Sequence, residues 1–274
     1  MNKILALTNM ELKRNSKFYI LYLSILSAIV FGLNIIQINR FQDRFSVIEI
    51  IKDNFDGIFY GISIMYNNSY LPTLMKLSII GIFIYSIYTW IREYTQKSVY
   101  TLKMIPYNKF NVYISKMIST IVMVYGVLII QIIILFISKN IFNIVFRNTG
   151  VIPTSLFEDL SYLSSTSYYN MPINMMDFIM IYGIDLVLKL SILFTAIVFI
   201  ISFKNKNISF FIITIGLYII VVSKIMIYRN IEDFYSNLGA KYVGNIGVDI
   251  IYGTFFIILL GYISYKLINK KFYI

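Results

Sequence analysis

Six apolar segments, each about as long as a bilayer core is thick, divide this 274-residue chain. A helix that crosses the hydrocarbon needs about 20 mainly apolar residues. Residues 18–38, 73–91, 115–137, 178–202, 209–227 and 250–268 meet that length. The predicted fold class is an all-α integral membrane protein, a single transmembrane domain of six transmembrane helices over residues 1–274. The first segment is too long for the apolar core of a cleavable signal, and no small-x-small site follows it. It is expected to stay as an anchor.

Composition matters here because it removes soluble and catalytic readings. The chain is 58% hydrophobic and 14% charged, whereas a soluble domain carries about a quarter charged residues. It has no cysteine and no histidine. Disulfides, cysteine nucleophiles and the usual zinc ligands are therefore excluded, as is the commonest general base near neutral pH. No GxxxxGK[ST], HExxH or GxSxG stretch occurs. The chain is expected to have no catalytic residue, cofactor or metal site of its own. A bias to Ile, Asn, Lys and Tyr accords with an AT-rich bacterial genome.

Basic residues in the connections set the orientation. The flanks that include both termini hold fourteen Lys and Arg against Glu11 and Glu93, a net of +12. The opposite flanks hold seven basic residues against ten acids, a net of −3. Both termini are expected to be cytoplasmic, in a multi-pass protein of the bacterial cell membrane. The overall +11 thus belongs to the inner membrane face and does not mark nucleic-acid binding. On the outer side, residues 39–72 carry apolar side chains at roughly helical spacing and predict an amphipathic surface helix.

The connection after the second span, residues 92–110, is basic, tyrosine-rich and ends in proline. Read at 100° per residue, Tyr94, Ser98, Val99, Leu102 and Ile105 share one side of a helix, and Glu93, Gln96, Lys97, Tyr100, Lys103 and Met104 the other. Pro106 marks its stop. The N-terminus repeats the pattern: Ile4, Leu5, Thr8 and Leu12 oppose Lys3, Lys13, Arg14 and Lys17, with Met10 and Glu11 as exceptions. Residues 1–17 are accordingly read as an amphipathic interfacial helix. Anionic lipid accounts for either helix; so does a soluble partner that grips it.

A basic N-terminal helix, six spans, and a second span closing on "RE" before a proline-ended helix together resemble the ABC-2-type transporter permeases. Glu93, Lys97-Ser98, Leu102, Pro106 and Lys116 follow the order of that family's pattern, with Lys97-Ser98 standing where Gly-Thr is usual. The resemblance implies that residues 92–110 form a coupling helix docked on a separate ATPase subunit, with Glu93, Tyr94, Lys97, Ser98, Leu102 and Pro106 as its contacts. It also implies two ATPase copies that bind ATP and Mg, and a second permease copy, a homodimer. In size the chain is similar to small permeases that handle amphipathic or antimicrobial peptides, such as phenol-soluble modulin exporter subunits.

Asp185 and Lys189 are charges inside the fourth span, spaced to meet along one helix face. They read either as an intrahelical bridge that steadies packing or as part of a translocation path. Lys76 and Lys224 lie near span ends, where lysines snorkel. Tyr19, Tyr22, Trp90 and Tyr94 lie at span ends and read as interface anchors. Two other classes compete. An intramembrane hydrolase needs paired acids at one depth, and Asp185 is the only acid well inside a span. An ion-coupled secondary transporter usually has broken helices, and no proline falls within a span.

Overall fold

The computed structural model describes residues 2–48, 71–95, 109–145, 178–202, 212–222, 224 and 246–271. All the elements among them are helical: α1 (Asn2–Ile48), α2 (Leu71–Thr95), α3 (Lys109–Val145), a π-helical segment (Ile179–Asp185) that leads into α4 (Leu186–Ser202), α5 (Ile212–Val222) and α6 (Ile246–Lys271). Five stretches are long and apolar enough to cross a membrane: Lys3–Arg40, Thr73–Glu93, Phe110–Val145, Ile179–Ser202 and Asp249–Asn269. They fall at five of the six segments read from the sequence. Of the remaining one, residues 209–227, only α5 and Lys224 are described. The expected outer helix is described only as far as Ile48, as the end of α1. The rest of it lies outside the described residues.

α1 changes the reading of the N-terminus. Residues 1–17 and 18–38 are not two helices; one unbroken helix of 47 residues runs through both. At 1.5 Å per residue it is about 70 Å long, more than twice the thickness of a hydrocarbon core of about 30 Å. Its buried N-terminal face overlaps the predicted one and is shifted along it: Leu7, Thr8, Glu11 and Asn15 are buried and Ile4 and Leu12 half-buried, while Leu5 is 56% exposed. Glu11, an exception to the amphipathic pattern, is buried and bridges to Arg14 one turn on.

The chain divides into two compact units. One comprises Asn9–Ser86 and Ser119–Phe178, the other Met1–Thr8, Ile87–Ile118 and Ile179–Ile274. In the first, polar contacts tie helices whose surfaces are otherwise hydrocarbon. Asn34 donates to Ser138 at 2.8 Å, and the hydroxyls of Ser86 and Thr120 lie 2.9 Å apart, all buried. Tyr85 donates to Asn15, and its ring stacks on Phe18 at 3.8 Å. Such bonds matter between apolar helices because lipid tails are as apolar as leucine and supply no hydrophobic drive to association.

The same unit contains a device used twice. Tyr19 donates to the carbonyl of Met123 at 2.7 Å, and Tyr22 to that of Ser78 at 2.7 Å. Each accepting carbonyl stands three residues before a glycine, Gly126 and Gly81. A Cβ at Gly126 would lie 1.9 Å from the Tyr19 hydroxyl, and one at Gly81 would lie 2.9 Å from that of Tyr22. The glycines open notches through which the phenols reach backbone oxygen. These two tyrosines, each half-buried, therefore lock helices together.

The second unit is built on an aromatic cluster. Trp90, Tyr113, Phe194, Ile197, Val198 and Ile268 are buried together, from α2, α3, α4 and α6. Trp90 meets Phe194 edge-on at 4.9 Å and Tyr113 at 6.0 Å, and Phe110 stacks on Tyr113. Pairs of this kind contribute about 0.5–1.5 kcal/mol each beyond their buried area. Trp90 is thus packed inside the protein, in place of the lipid-interface position read from its location at a span end. Beside the cluster, Thr195 and Ser264 share a hydrogen bond at 2.9 Å, and Thr195 also donates to the carbonyl of Ser191.

Candidate functional site

The last turn of α2 and the first turns of α3 bracket residues 96–108. Arg92–Thr95 continue α2, and α3 begins at Lys109. Lys97, Ser98, Leu102 and Pro106, with the side chain of Tyr94, lie outside the described residues. What the structure does describe is the base from which this segment leaves and to which it returns.

That base is closed by an ion pair. The Lys116 ammonium lies 2.8 Å from one Glu93 carboxylate oxygen and 2.7 Å from the other, so it sits astride the carboxylate. The two side chains are 7% and 11% exposed, which puts the pair in a setting of low polarity. The ammonium also lies 5.9 Å from the centre of the Trp90 ring, within reach of the ring's negative face. Taking one partner away from a buried pair leaves an uncompensated charge and costs about 3–5 kcal/mol. The pair therefore clamps the two ends of the connection, 23 residues apart, onto the aromatic cluster. Glu93 faces inward here, buried against Lys116. The sequence does place both residues at adjoining ends of neighbouring apolar segments, where a charge seeks a partner. It does not state that they seek each other.

Asp185 and Lys189 do meet. The ammonium is 2.6 Å from the carboxylate, across one helical turn. The π-helical segment ends at Asp185, so the i to i+4 geometry of the bridge begins where regular α-helix resumes. The two side chains are 40% and 61% exposed on the chain. The opposite side of α4, with Leu186, Leu190, Phe194 and Ile197, is buried. The bridge thus lies on the outward side, and among the described residues no other helix buries it. A charge at mid-membrane costs about 2.5–3.5 kcal/mol on insertion scales, and pairing reduces this without removing it. Another bridge, Lys224 to Asp249 at 3.4 Å, links the region of α5 to the first turn of α6. Lys76 is exposed near the start of α2.

On α1, Lys13, Arg14 and Lys17 are all exposed, which leaves a basic face open to anionic lipid or an acidic surface. Among the described residues no group of three or more Asp or Glu is placed to hold a metal ion.

No protein-family model, characterised protein or solved structure matches the chain.

Proposed function

We propose that this chain is the membrane-spanning permease subunit of an ATP-driven exporter of the ABC-2 type, with amphipathic or antimicrobial peptides as its cargo. ATP and Mg would be bound by a separate ATPase subunit, present in two copies and gripping residues 92–110. The carrying observation is the Glu93–Lys116 clamp. A segment that transmits force needs both of its ends fixed to a stiff body. Here the ends are joined by a buried charge pair and seated on the Trp90 cluster. The charge asymmetry of the connections supports cytoplasmic termini. The exposed Lys13, Arg14 and Lys17 add a second basic element on that side.

The test uses Leu102→Glu and Pro106→Leu. Both should leave insertion intact, while association with the cognate ATPase and peptide export fall. Full association and full export in both variants would refute the coupling role.

A second reading, ion-coupled transport, draws on one observation: the seven-residue π-helical segment that ends at the acid of an intramembrane pair. Irregular helix next to an ionisable residue is a known element of ion sites. Export that persists without ATP hydrolysis and stops when the ion gradient is collapsed would select that reading.

A further inference from the structure

We propose that the line of α1 through Lys13, Lys17, Leu21, Ile25 and Ile29 holds an anionic phospholipid of the bilayer, with the two lysines on its phosphate. These residues recur at every fourth position, on one side of the helix, and all five are exposed. Leu21, Ile25 and Ile29 are 60%, 53% and 45% exposed. They belong to the stretch Lys3–Arg40, which is long and apolar enough to cross a membrane. Toward the N-terminus the line turns basic in a single step. Because α1 is unbroken there, the lysines and the apolar residues share one axis. At 1.5 Å per residue, Lys17 stands about 6 Å and Lys13 about 12 Å from Leu21 along it. A headgroup layer is about 5–8 Å deep on each side of the hydrocarbon, and a lysine stem carries its ammonium toward that level.

The charge on this line is uncompensated. Glu11 is the one acid in the first 42 residues, and it is turned inward, 6% exposed and bridged to Arg14. Among the described residues no side-chain partner meets the ammonium of Lys13 or of Lys17. An acidic protein surface would satisfy two lysines, but it would not explain why an exposed apolar line continues from them without a break. A phospholipid fits both parts: its phosphate meets the lysines and its acyl chain runs along Leu21, Ile25 and Ile29. A zwitterionic headgroup brings its own cation, which the lysines repel, so the preference is for a net negative lipid. Each lysine near an anionic surface is worth about fivefold in affinity. The inference needs a bilayer around residues 18–38 and does not need the ATPase. A failed Leu102→Glu test would leave it standing, and equal binding of both lipids would leave the coupling test standing.

The chain has no cysteine, so Leu21→Cys gives one thiol for a fluorophore. The full chain is placed in vesicles of phosphatidylcholine and phosphatidylglycerol in equal parts, with an acyl-chain nitroxide quencher on one lipid or the other. Quenching should report a preference for phosphatidylglycerol of about 5–25-fold. Lys13→Gln and Lys17→Gln should each lower it by up to about fivefold, and the double change should bring it close to one. Raised salt should weaken it, since these charges are exposed. Ile84→Cys on α2 is the control. It is 61% exposed and at the same depth, since the neighbouring Tyr85 reaches Asn15, and it should show no preference. Equal quenching by both lipids at position 21 would overturn the inference and give the lysines to water or an acidic protein. A preference that survives the double change would overturn it too. Loss of the preference when phosphate replaces chloride at equal ionic strength would assign the lysines to free phosphate. No quenching by either lipid would place Leu21 outside the bilayer and overturn both the span and the site. If the double variant does not insert, the two single variants decide.

Discussion

Replacing Gly126 with alanine tests whether the tyrosine notches hold the helices together. The new methyl carbon would stand 1.9 Å from the Tyr19 hydroxyl and 3.1 Å from the ring carbon that bears it. The methyl would take the hydroxyl's place, so the bond to the Met123 carbonyl must break. Interhelical hydrogen bonds in membranes contribute about 0.6 kcal/mol on average and up to about 1.7. Moving the ring off its preferred rotamer adds about 0.5–1.5 kcal/mol. Alanine recovers up to about 1 kcal/mol over glycine in helix propensity. The expected net cost of Gly126→Ala is therefore about 1 kcal/mol. Tyr19→Phe alone should cost about 0.6–1.7 kcal/mol. In the Tyr19→Phe background the bond is already gone, and the tight contact that remains, 3.1 Å from the methyl to the ring carbon, offsets alanine's propensity gain. Gly126→Ala should then be close to neutral, a coupling of about 1 kcal/mol. The measurement is unfolding by SDS in mixed micelles, followed by far-UV circular dichroism, for all four members of the cycle. Gly32→Ala is the control, because nothing lies within 4 Å of a Cβ built there. Costs that add within about 0.3–0.5 kcal/mol would refute the notch reading.

Glu93→Gln and Lys116→Met should each destabilise the protein by about 3–5 kcal/mol, and the double change by less, because a lone buried charge is worse than none. Trp90 is the only tryptophan and belongs to the same cluster, so its emission gives the midpoints. Trp90→Ala should cost about 3–5 kcal/mol through the void it leaves, read as thermal inactivation of the detergent-extracted protein; a loss under about 1 kcal/mol would mean the ring is not packed as described. Ser264→Leu, at a site with no exposed surface, should destabilise by overpacking by about 1–3 kcal/mol, whereas Ser264→Ala should cost only the hydrogen bond to Thr195, about 0.6 kcal/mol. Single cysteines in residues 49–70, 146–177 and 228–245 should react with an impermeant thiol reagent on intact cells, while those beside Lys3, Lys97 and Lys270 stay protected. The reverse pattern would invert the topology.

The amino-acid order alone determined what depends on distance along one segment. Apolar runs of span length reappear as helices, since an unbroken oily stretch of 20 residues has few other stable forms. Asp185 and Lys189 meet because four residues make one turn, whatever surrounds them. What the sequence could not supply is which side of each helix is inside. In a soluble protein the apolar face names the core. In helices apolar enough to cross a membrane the outside is as apolar as the inside, so that contrast disappears. For this reason Trp90, Tyr19 and Tyr22 read as interface anchors, while the fold puts Trp90 in a packed cluster and the two tyrosines against glycine notches. The same reason hid the polar buried face of α1, with Glu11 and Asn15 inward and Leu5 outward. The Glu93–Lys116 pair needed the fold for a different cause. It joins the ends of two helices across 23 residues, and only the packing of α2 against α3 brings that carboxylate to that ammonium.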